Sequence, residues 1–372
     1  MAYKIKKIVS VLCLVAALFS AALLPASGYC ENLRFVFLAD SPVGTIPSNP
    51  TPTDLINTAV LTPIITQILA LSPRPSFVVY GGDQAACGCY QGAYTFEAFK
   101  SVMAPLTNAG IPFYTALGTR ELFNPTFNLS APDTFYLANQ TQYQQAFTGN
   151  PTNGPSDSSH SYERLVYSFE SPGGDAFFAV LDPYYLTADD PTPNLTGTFD
   201  NTQLDWLAAQ VAQTKATHKF LFTHGPCYYP TSPEGGANPP DISYTKLWRI
   251  LDNNRFDLYG CGHVHLYSRK TIDISIAPSS QFIPPIQWHN NVVQLLDGTA
   301  GAPIVTDTPI VDPALWHISQ AANTYYFSVV DINGSQVTVN SYSGNTGAYS
   351  VFDSFTINKN ATPATNLMLL LD

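Results

Sequence analysis

The first half of the chain alternates short apolar runs with amphipathic stretches. The continuous apolar runs 33–39, 77–80 and 113–117 predict strands that are buried on both faces. Between them, segments 55–71 and 96–106 carry apolar residues at helical spacing. Strands that alternate with helices in this way indicate an α/β fold.

The second half continues with short apolar runs. Runs 165–169 and 177–181 alternate across a Pro-Gly-Gly turn, which predicts a hairpin. Runs 220–223 and 258–261 predict two more strands, and residues 325–343 read as a final hairpin turning at Asn-Gly.

One α/β domain with long loop insertions is the simplest organisation, because there is no internal repeat and no shift in composition. We expect this domain to span residues 29–358. The polar, Pro-rich or irregular segments 122–160, 225–243 and 268–320 are expected to be the insertions, and 359–372 a C-terminal tail.

Residues 1–28 have the pattern of a secretory signal peptide. Lys4, Lys6 and Lys7 precede the apolar stretch 8–24, and small residues lead to a cleavage site near Gly28. The alternative is a retained N-terminal anchor. Cleavage predicts a secreted or periplasmic protein with no membrane span in the mature chain.

Charge and composition narrow the partners. Charged residues make up only 12% of the chain and the net charge is −11. Such an acidic surface repels nucleic-acid phosphates at long range, so no nucleic-acid polymer is expected as a partner. A small anion can bind only where local cations or a metal reverse the field.

Several of the apolar runs end at polar residues suited to bind a metal. These residues are Asp40, Asp83, the turn 118–121, His224, and His263 with His265. Because ligands gather at the carboxyl ends of strands in open α/β sheets, we expect these side chains to converge. Carboxylate with imidazole suits Zn, Mn or Fe better than Ca. The less specific alternative is that each residue only caps a loop.

The order of these motifs resembles the calcineurin-like metallophosphoesterases over residues 33–345. The family pattern runs D-x-H, G-D, G-N-H-D/E, H and G-H-x-H. The corresponding residues here are Asp40-Ser41-Pro42, Gly82-Asp83, Gly118-Thr119-Arg120-Glu121, His224 and Gly262-His263-Val264-His265. The resemblance implies a four-layer α/β/β/α sandwich with a two-metal centre.

The resemblance also assigns metal ligands residue by residue. It implies that Asp40 and His265 hold one ion, that His224 and His263 hold the other, and that Asp83 bridges them. Thr119 stands where the family has an Asn ligand. One or two divalent ions held there would activate a water for attack on a small phosphorylated substrate.

Three positions depart from the family pattern. Pro42 replaces a His ligand and has no side-chain donor atom, and the Thr119 hydroxyl is a weaker ligand than an amide oxygen. Arg120 replaces the His that assists the leaving group; it can hold a phosphate but cannot supply a proton. The alternative role for Arg120 is a structural ion pair with Glu121 or a loop carboxylate.

Two functions therefore stay open at this stage. The surviving ligands favour an exported phosphoesterase that hydrolyses mono- or diesters, with Asp83 and Arg120 in its catalytic machinery. The three departures favour a catalytically weak or inactive pseudoenzyme that serves as an extracellular binding or surface-assembly module.

An odd number of cysteines remains once the predicted signal peptide is removed, so at least one thiol does not pair within the chain. If the resemblance holds, Cys87, Cys89 and Cys227 lie on one rim, and we expect a disulfide from Cys227 to Cys87 or Cys89. A thiolate metal site is the alternative. Cys261 lies within a predicted strand and is expected to be a buried thiol.

Overall fold

Two β-sheets pack face to face with helices on their outer sides in a computed structural model of the chain. The structure describes residues 32–88, 93–123, 133–156, 162–185, 197–230, 242–273, 288–306, 317–319, 324–345 and 347–359. The strands are β1 (Leu33–Leu38), β2 (Phe77–Tyr80), β3 (Phe113–Thr115), β4 (Tyr167–Glu170), β5 (Ala176–Val180), β6 (His218–Phe222), β7 (Leu258–Cys261), β8 (Tyr267–Ile272), β9 (Val292–Asp297), β10 (His317–Ser319), β11 (Tyr325–Asn333), β12 (Gln336–Asn345) and β13 (Ala348–Asn358).

The α-helices lie between these strands, and a short 3-10 turn (Pro52–Leu55) precedes the first of them. They are α1 (Thr58–Ala70), α2 (Ala93–Asn108), α3 (Thr119–Leu122), α4 (Asp133–Ala146), α5 (Asn201–Gln213) and α6 (Ile242–Asn253). Among the described residues, none of the helices is long and apolar enough to cross a membrane.

Both sheets mix parallel and antiparallel strands. The first has the order β13-β12-β11-β1-β2-β3, and the second has the order β10-β8-β9-β7-β6-β5-β4. β1, β2 and β3 are parallel neighbours, and so are β5, β6, β7 and β9. The parallel strands direct the chain segments that follow them to common sheet edges, and the predicted site residues lie on those segments.

Aromatic side chains fill the space between the sheets. Phe35 of β1 stands edge-on to Phe178 and Phe220 of the facing sheet, with ring centroids 5.3 and 5.2 Å apart. Because strands in the middle of this sandwich are covered on both faces, they read as continuous apolar runs rather than alternating ones. The predicted layer order of helix, sheet, sheet and helix is confirmed.

The predicted loop insertion 268–320 is wrong in part, because it contains most of β8, all of β9 and all of β10. β9 is fully buried and pairs with β7 and β8. Its apolar run is interrupted by Gln294. That side chain is buried because its oxygen accepts the N–H groups of Cys227 and Tyr228 (3.1 and 2.9 Å) and its amide donates to the Tyr228 carbonyl (2.7 Å).

The predicted insertion 122–160 is also wrong in part, because it contains α4. Tyr136 and Tyr143, spaced seven residues apart, are buried in the core. The surrounding Asn, Thr and Gln residues hide this pattern, and some of them are themselves buried: Asn139 donates to the Leu122 carbonyl (3.2 Å). Within the remaining predicted insertion, 225–243, residues 231–241 lie outside the described residues.

The predicted disulfide of Cys227 is wrong. Cys227 and Cys261 are both free, buried thiols. For Cys261 this confirms the prediction made from its position within an apolar strand. Cys87 is disulfide-bonded, but neither Cys227 nor Cys261 is its partner, because both are free. Cys89, the signal segment 1–28 and the tail beyond Lys359 lie outside the described residues.

The outer strand β13 is tied to the opposite sheet by a buried carboxylate. Asp353 accepts hydrogen bonds from Tyr267 Oη (2.8 Å) and from Arg269 Nε and Nη2 (2.7 and 3.2 Å). Both partners belong to β8 of the second sheet. The network therefore links the edge strand of the first sheet to the edge region of the second sheet.

Candidate metal centre

Three acidic and imidazole side chains meet where parallel strands of both sheets end. Asp40 follows β1, Asp83 follows β2, and His224 follows β6. One ligand atom from each lies within 4.8 Å of the others, and all three residues are buried. The expected convergence of strand-end residues is thus observed for these three.

The backbone turns sharply at the site. Asp40, Asp83 and His263 adopt left-handed conformations, with φ of 61°, 52° and 73°. This region costs a non-glycine residue about 1–2 kcal/mol, although Asp, Asn and His tolerate it better than others. Strain of this kind concentrates at functional sites, where the surrounding structure holds it in place.

Three motif glycines make room for these side chains. A Cβ atom on Gly262 would lie 2.2 Å from Asp40 Oδ2, and one on Gly118 would lie 2.3 Å from Asp83 Oδ1. Gly82 has a φ of +93°, and a Cβ there would lie 2.7 Å from the Nδ1 atom of His224. Any side chain at these positions would displace a site residue.

Asp40 is held by the loop that follows β7. The backbone N–H of His263 donates to both Asp40 oxygens (3.2 and 3.0 Å), and His265 Nε2 lies 3.7 Å from Oδ1. Burial raises the pKa of Asp40 well above its usual value, and the neighbouring Asp83 charge raises it further, while His224 lowers it. A charged Asp40 therefore depends on positive charge nearby.

His224 presents one ring nitrogen to the two carboxylates. Its Nδ1 donates to the Gly81 carbonyl (2.8 Å), so Nε2 carries the lone pair of the neutral ring. Nε2 is buried 3.3 Å from Asp83 Oδ1 and has no hydrogen-bond partner in the part of the chain described. Burial lowers the pKa of His224, but Asp83 and Asp40 outweigh it and raise the pKa to about 9. Without a metal the ring is therefore protonated at pH 7, and a metal bound at Nε2 would replace that proton.

These features fit a divalent transition metal. Two buried carboxylates and an unpartnered imidazole nitrogen form a donor set that Zn, Mn or Fe accepts. The hydrogen bond from His224 Nδ1 to a backbone carbonyl is the usual support of a metal-binding histidine.

His263 and His265 border this group of three. The imidazole rings of His263 and His224 lie 5.2 Å apart between centroids, and His265 Nδ1 donates to the Pro303 carbonyl (3.0 Å). Burial lowers the pKa of His263 to about 3 and that of His265 to about 4. Both rings are therefore neutral at pH 7, which is the form that binds metals. Their assignment as ligands stays a prediction.

Arg120 forms an ion pair with Asp83. Its Nε lies 3.2 Å from Asp83 Oδ2, and its backbone N–H donates to Oδ1 (2.8 Å). Burial would raise the pKa of Asp83, but His224 and Arg120 outweigh it, so the pKa is lowered. The structural ion pair considered for Arg120 is therefore present, with Asp83 as its carboxylate.

Glu121 joins the loops that follow β2 and β3. Its buried carboxylate accepts the backbone N–H groups of Asp83 (3.0 Å), Gln84 (2.6 Å) and Gly118 (2.7 Å). Burial and the Asp83 charge raise its pKa to about 8, against the effect of these hydrogen bonds. Thr119 is buried at the first residue of α3, and its role as a ligand stays a prediction.

Tyr184 is a neighbour of the site that the sequence interpretation missed. Its ring centroid lies 5.8 Å from that of His224 and 6.2 Å from that of His263. It is positioned by Asp182, which follows β5 and accepts the Tyr184 N–H (2.8 Å). The signal was present, because the apolar run 177–181 ends at Asp182 just as the other strands end at site residues.

A cavity of about 590 Å³ opens beside the centre. Among the described residues it is lined by Val43, Gly44, Thr45, Ile46, Ala86, Arg120 and Pro303. Arg120 is the one charged residue in this set. The cavity therefore offers several apolar side chains together with one cation, which pairs with Asp83.

Fold and site together define an α/β sandwich with a buried candidate metal-binding group at its strand ends. The family model of the calcineurin-like phosphoesterases matches residues 34–267, and the chain belongs to this family. Comparison with curated proteins returns no match.

Solved structures share the fold at low sequence identity. A purple acid phosphatase from yellow lupin (Lupinus luteus) has a TM-score of 0.54 and 18% identity; the match covers 90% of this chain and 55% of the lupin chain. This chain thus spans little more than half the length of that enzyme. PhoD gives a TM-score of 0.58 and 12% identity, covering 90% of this chain and 72% of PhoD.

A third neighbour is not described as an enzyme. GAP50, called the anchor in the inner membrane complex of Plasmodium, has a TM-score of 0.53 and 17% identity. The match covers 88% of this chain and 89% of GAP50. At these identities the three likenesses bear on the fold alone.

Proposed function

We propose that the protein is an exported metal-dependent phosphoesterase with an incomplete dimetal centre. The observation that carries this proposal is the buried group of Asp40, Asp83 and His224, whose ligand atoms lie within 4.8 Å of one another. Two buried carboxylates this close repel each other, and a divalent cation neutralises them.

The chain's own residues prepare the site for hydrolysis. A divalent ion bound by Asp40, Asp83 and His224 would polarise a phosphoryl oxygen and lower the pKa of an attacking water. His263 N–H and Arg120 N–H orient the Asp40 and Asp83 carboxylates. Arg120 also lines the cavity, where its positive charge attracts a phosphoryl group.

The leaving group is the weak point of this chemistry. Attack of water breaks the bond between phosphorus and the ester oxygen, and that oxygen departs with the electron pair. Arg120 stays positively charged and cannot protonate it. The best substrates should therefore be mono- or diesters of acidic alcohols such as phenols, and the apolar side chains Val43 and Ile46 suit an aryl group in the cavity.

Metal content and hydrolysis of bis(4-nitrophenyl) phosphate test the proposal together. The wild-type protein should retain a transition metal and hydrolyse the diester, and Asp83→Ala should lose both. Asp205→Ala is the matched control, because Asp205 lies on the surface in an ion pair with Lys246. A protein that binds no transition metal and shows no Asp83-dependent turnover would end this proposal.

A second candidate function is a non-catalytic binding module. The observation in its favour is that Arg120 already neutralises Asp83, at 3.2 Å, in a chain that also lacks the His and Asn ligands at Pro42 and Thr119. The anchor GAP50 has a similar fold. Metal binding without turnover of any aryl phosphoester would favour this function over hydrolysis.

Export is part of the proposal and rests on the sequence of residues 1–28. Expression of the full chain in a secreting host should yield a mature protein that begins close to residue 29. The intact mass of the secreted protein measures this directly. A secreted product that still carries the apolar segment 8–24 would contradict cleavage and favour the retained anchor.

A further inference from the structure

Both oxygens of Asp83 are engaged by a single residue. Arg120 contacts Oδ2 through Nε (3.2 Å) and donates its backbone N–H to Oδ1 (2.8 Å). The Asp83 side chain is 2% exposed and that of Arg120 is 26% exposed. The guanidinium therefore covers one side of a buried carboxylate and leaves the other side to His224.

A carboxylate that bridges two metal ions through both of its oxygens has a cation beside each oxygen. In this chain the cation beside Oδ2 is the Arg120 side chain, which keeps its charge at all ordinary pH values. A second divalent ion at that oxygen would have to displace the guanidinium or lie beside it. Either arrangement opposes binding, because like charges repel strongly in a poorly solvated site.

The ligands of a second ion are depleted in the same chain. The imidazole at the third residue of the first motif is replaced by Pro42, whose backbone instead forms a β-bridge with Ile56. The amide of the third motif is replaced by Thr119. In the part of the chain that the structure describes, the acidic and imidazole ligand atoms form one group of three.

We infer that the centre binds one divalent ion, with Arg120 supplying the second positive charge. The inference rests on the proposed function only in that a metal binds at Asp40, Asp83 and His224. The inference changes the expected chemistry. A second metal ion would offer coordination positions that exchange ligands, whereas the guanidinium offers a fixed charge and planar hydrogen-bond donors.

Metal stoichiometry tests the inference without any measurement of activity. Titration of the metal-free protein with Zn²⁺ or Mn²⁺, followed by calorimetry, should give one equivalent bound tightly. The Mn²⁺-loaded protein should give the electron paramagnetic resonance spectrum of an isolated ion. Two tight equivalents, or the spectrum of a coupled pair, would overturn the inference and leave the proposed function standing.

Variants at position 120 separate the charge from the geometry. Arg120→Gln removes the guanidinium from Asp83 and should tighten binding of the ion by roughly tenfold or more, because a like charge beside the ion is lost. Arg120→Lys retains the charge and should bind the ion more weakly than Arg120→Gln does, close to the wild type. Equal or weaker binding in Arg120→Gln would contradict the assigned role.

A gain-of-site variant provides the reciprocal test. The combination Pro42→His, Thr119→Asn and Arg120→His restores the missing donors and should bind two equivalents. A folded triple variant that still binds one would show that Arg120 and the lost ligands do not set the stoichiometry. A wild type that binds no ion would contradict the proposed function, whereas a wild type that binds two would contradict only this inference. The two failures are therefore distinguishable.

Discussion

Gly262→Ala probes whether Asp40 is a metal ligand by adding one methyl group. The new Cβ would lie 2.2 Å from Asp40 Oδ2 and 2.8 Å from Ala39 Cβ, where ordinary contacts are at least 3.4 Å. The carboxylate must therefore move by more than about 1 Å, because the Cβ is fixed by the backbone. It cannot rotate freely, since both oxygens accept the His263 N–H and the Asp40 N–H is bound to the Gly82 carbonyl.

The size of the effect follows from losing one of three ligands. Displacing a group that orients a metal ligand weakens binding about 10- to 100-fold, which corresponds to about 1.4–2.7 kcal/mol, and displacing the ligand itself should do at least as much. The methyl group also overpacks a buried turn, and such changes destabilise the metal-free protein by about 1–3 kcal/mol. The two effects are separable because one depends on metal concentration.

The assay is a competition titration with a chromogenic chelator, combined with thermal unfolding in the presence and absence of Zn²⁺. The wild type should gain stability from the metal, and Gly262→Ala should gain much less. Gly149→Ala is the matched control, because a Cβ there meets no atom within 4 Å. Wild-type affinity in a folded Gly262→Ala protein would refute the placement of Asp40 at the metal.

Three other outcomes follow from buried groups that are not among the proposed metal ligands. Asp353→Asn should lower the free energy of unfolding by about 2–3 kcal/mol in urea, because Arg269 loses its buried charged partner; an unchanged midpoint would contradict the role of this network. Burial raises the pKa of Asp297 to about 7, so the folded protein holds this proton more tightly than the unfolded chain does. The free energy of unfolding should therefore fall as pH rises from about 4 through 7. Asp297→Asn should flatten that dependence, and an equal slope would exclude this carboxyl as its source. Iodoacetamide should leave Cys227 and Cys261 unmodified until the protein unfolds, because burial raises both thiol pKa values; labelling of either in the native state, mapped by mass, would contradict their burial.

Strand positions were predictable because burial on both faces leaves a local signature. The runs at 77–80 and 258–261 match β2 and β7 residue for residue. β9 escaped prediction because Gln294 interrupts its run, and that residue is satisfied only by a loop far away in sequence. α4 escaped because polar residues in it are buried by contacts that sequence does not show.

The candidate site was also predictable from sequence, but only as a set of residue types at the ends of strands. Their convergence followed from the parallel topology, which brings Asp40, Asp83 and His224 together. The partner of Arg120 did not follow, since Glu121 is its neighbour in sequence while Asp83 is its neighbour in space. Glu121 is instead held by backbone N–H groups from two loops. The choice between these carboxylates depends on loop geometry that no local pattern encodes.

The backbone of the centre bears on the choice between a metal site and an empty scaffold. Asp40, Asp83 and His263 each hold a left-handed conformation, and two of them place carboxylates beside each other in a buried position. Each conformation costs about 1–2 kcal/mol, and the paired carboxylates add repulsion and lost solvation. In a scaffold that bound no cation, these backbone conformations and the carboxylate pair would cost stability with no ligand to offset it. Arg120 is paired with Asp83, and burial still raises the pKa of Asp40 although His224 and Arg120 lower it. A bound cation would favour the charged form of Asp40, and this is the strongest physical reason to expect one at the centre.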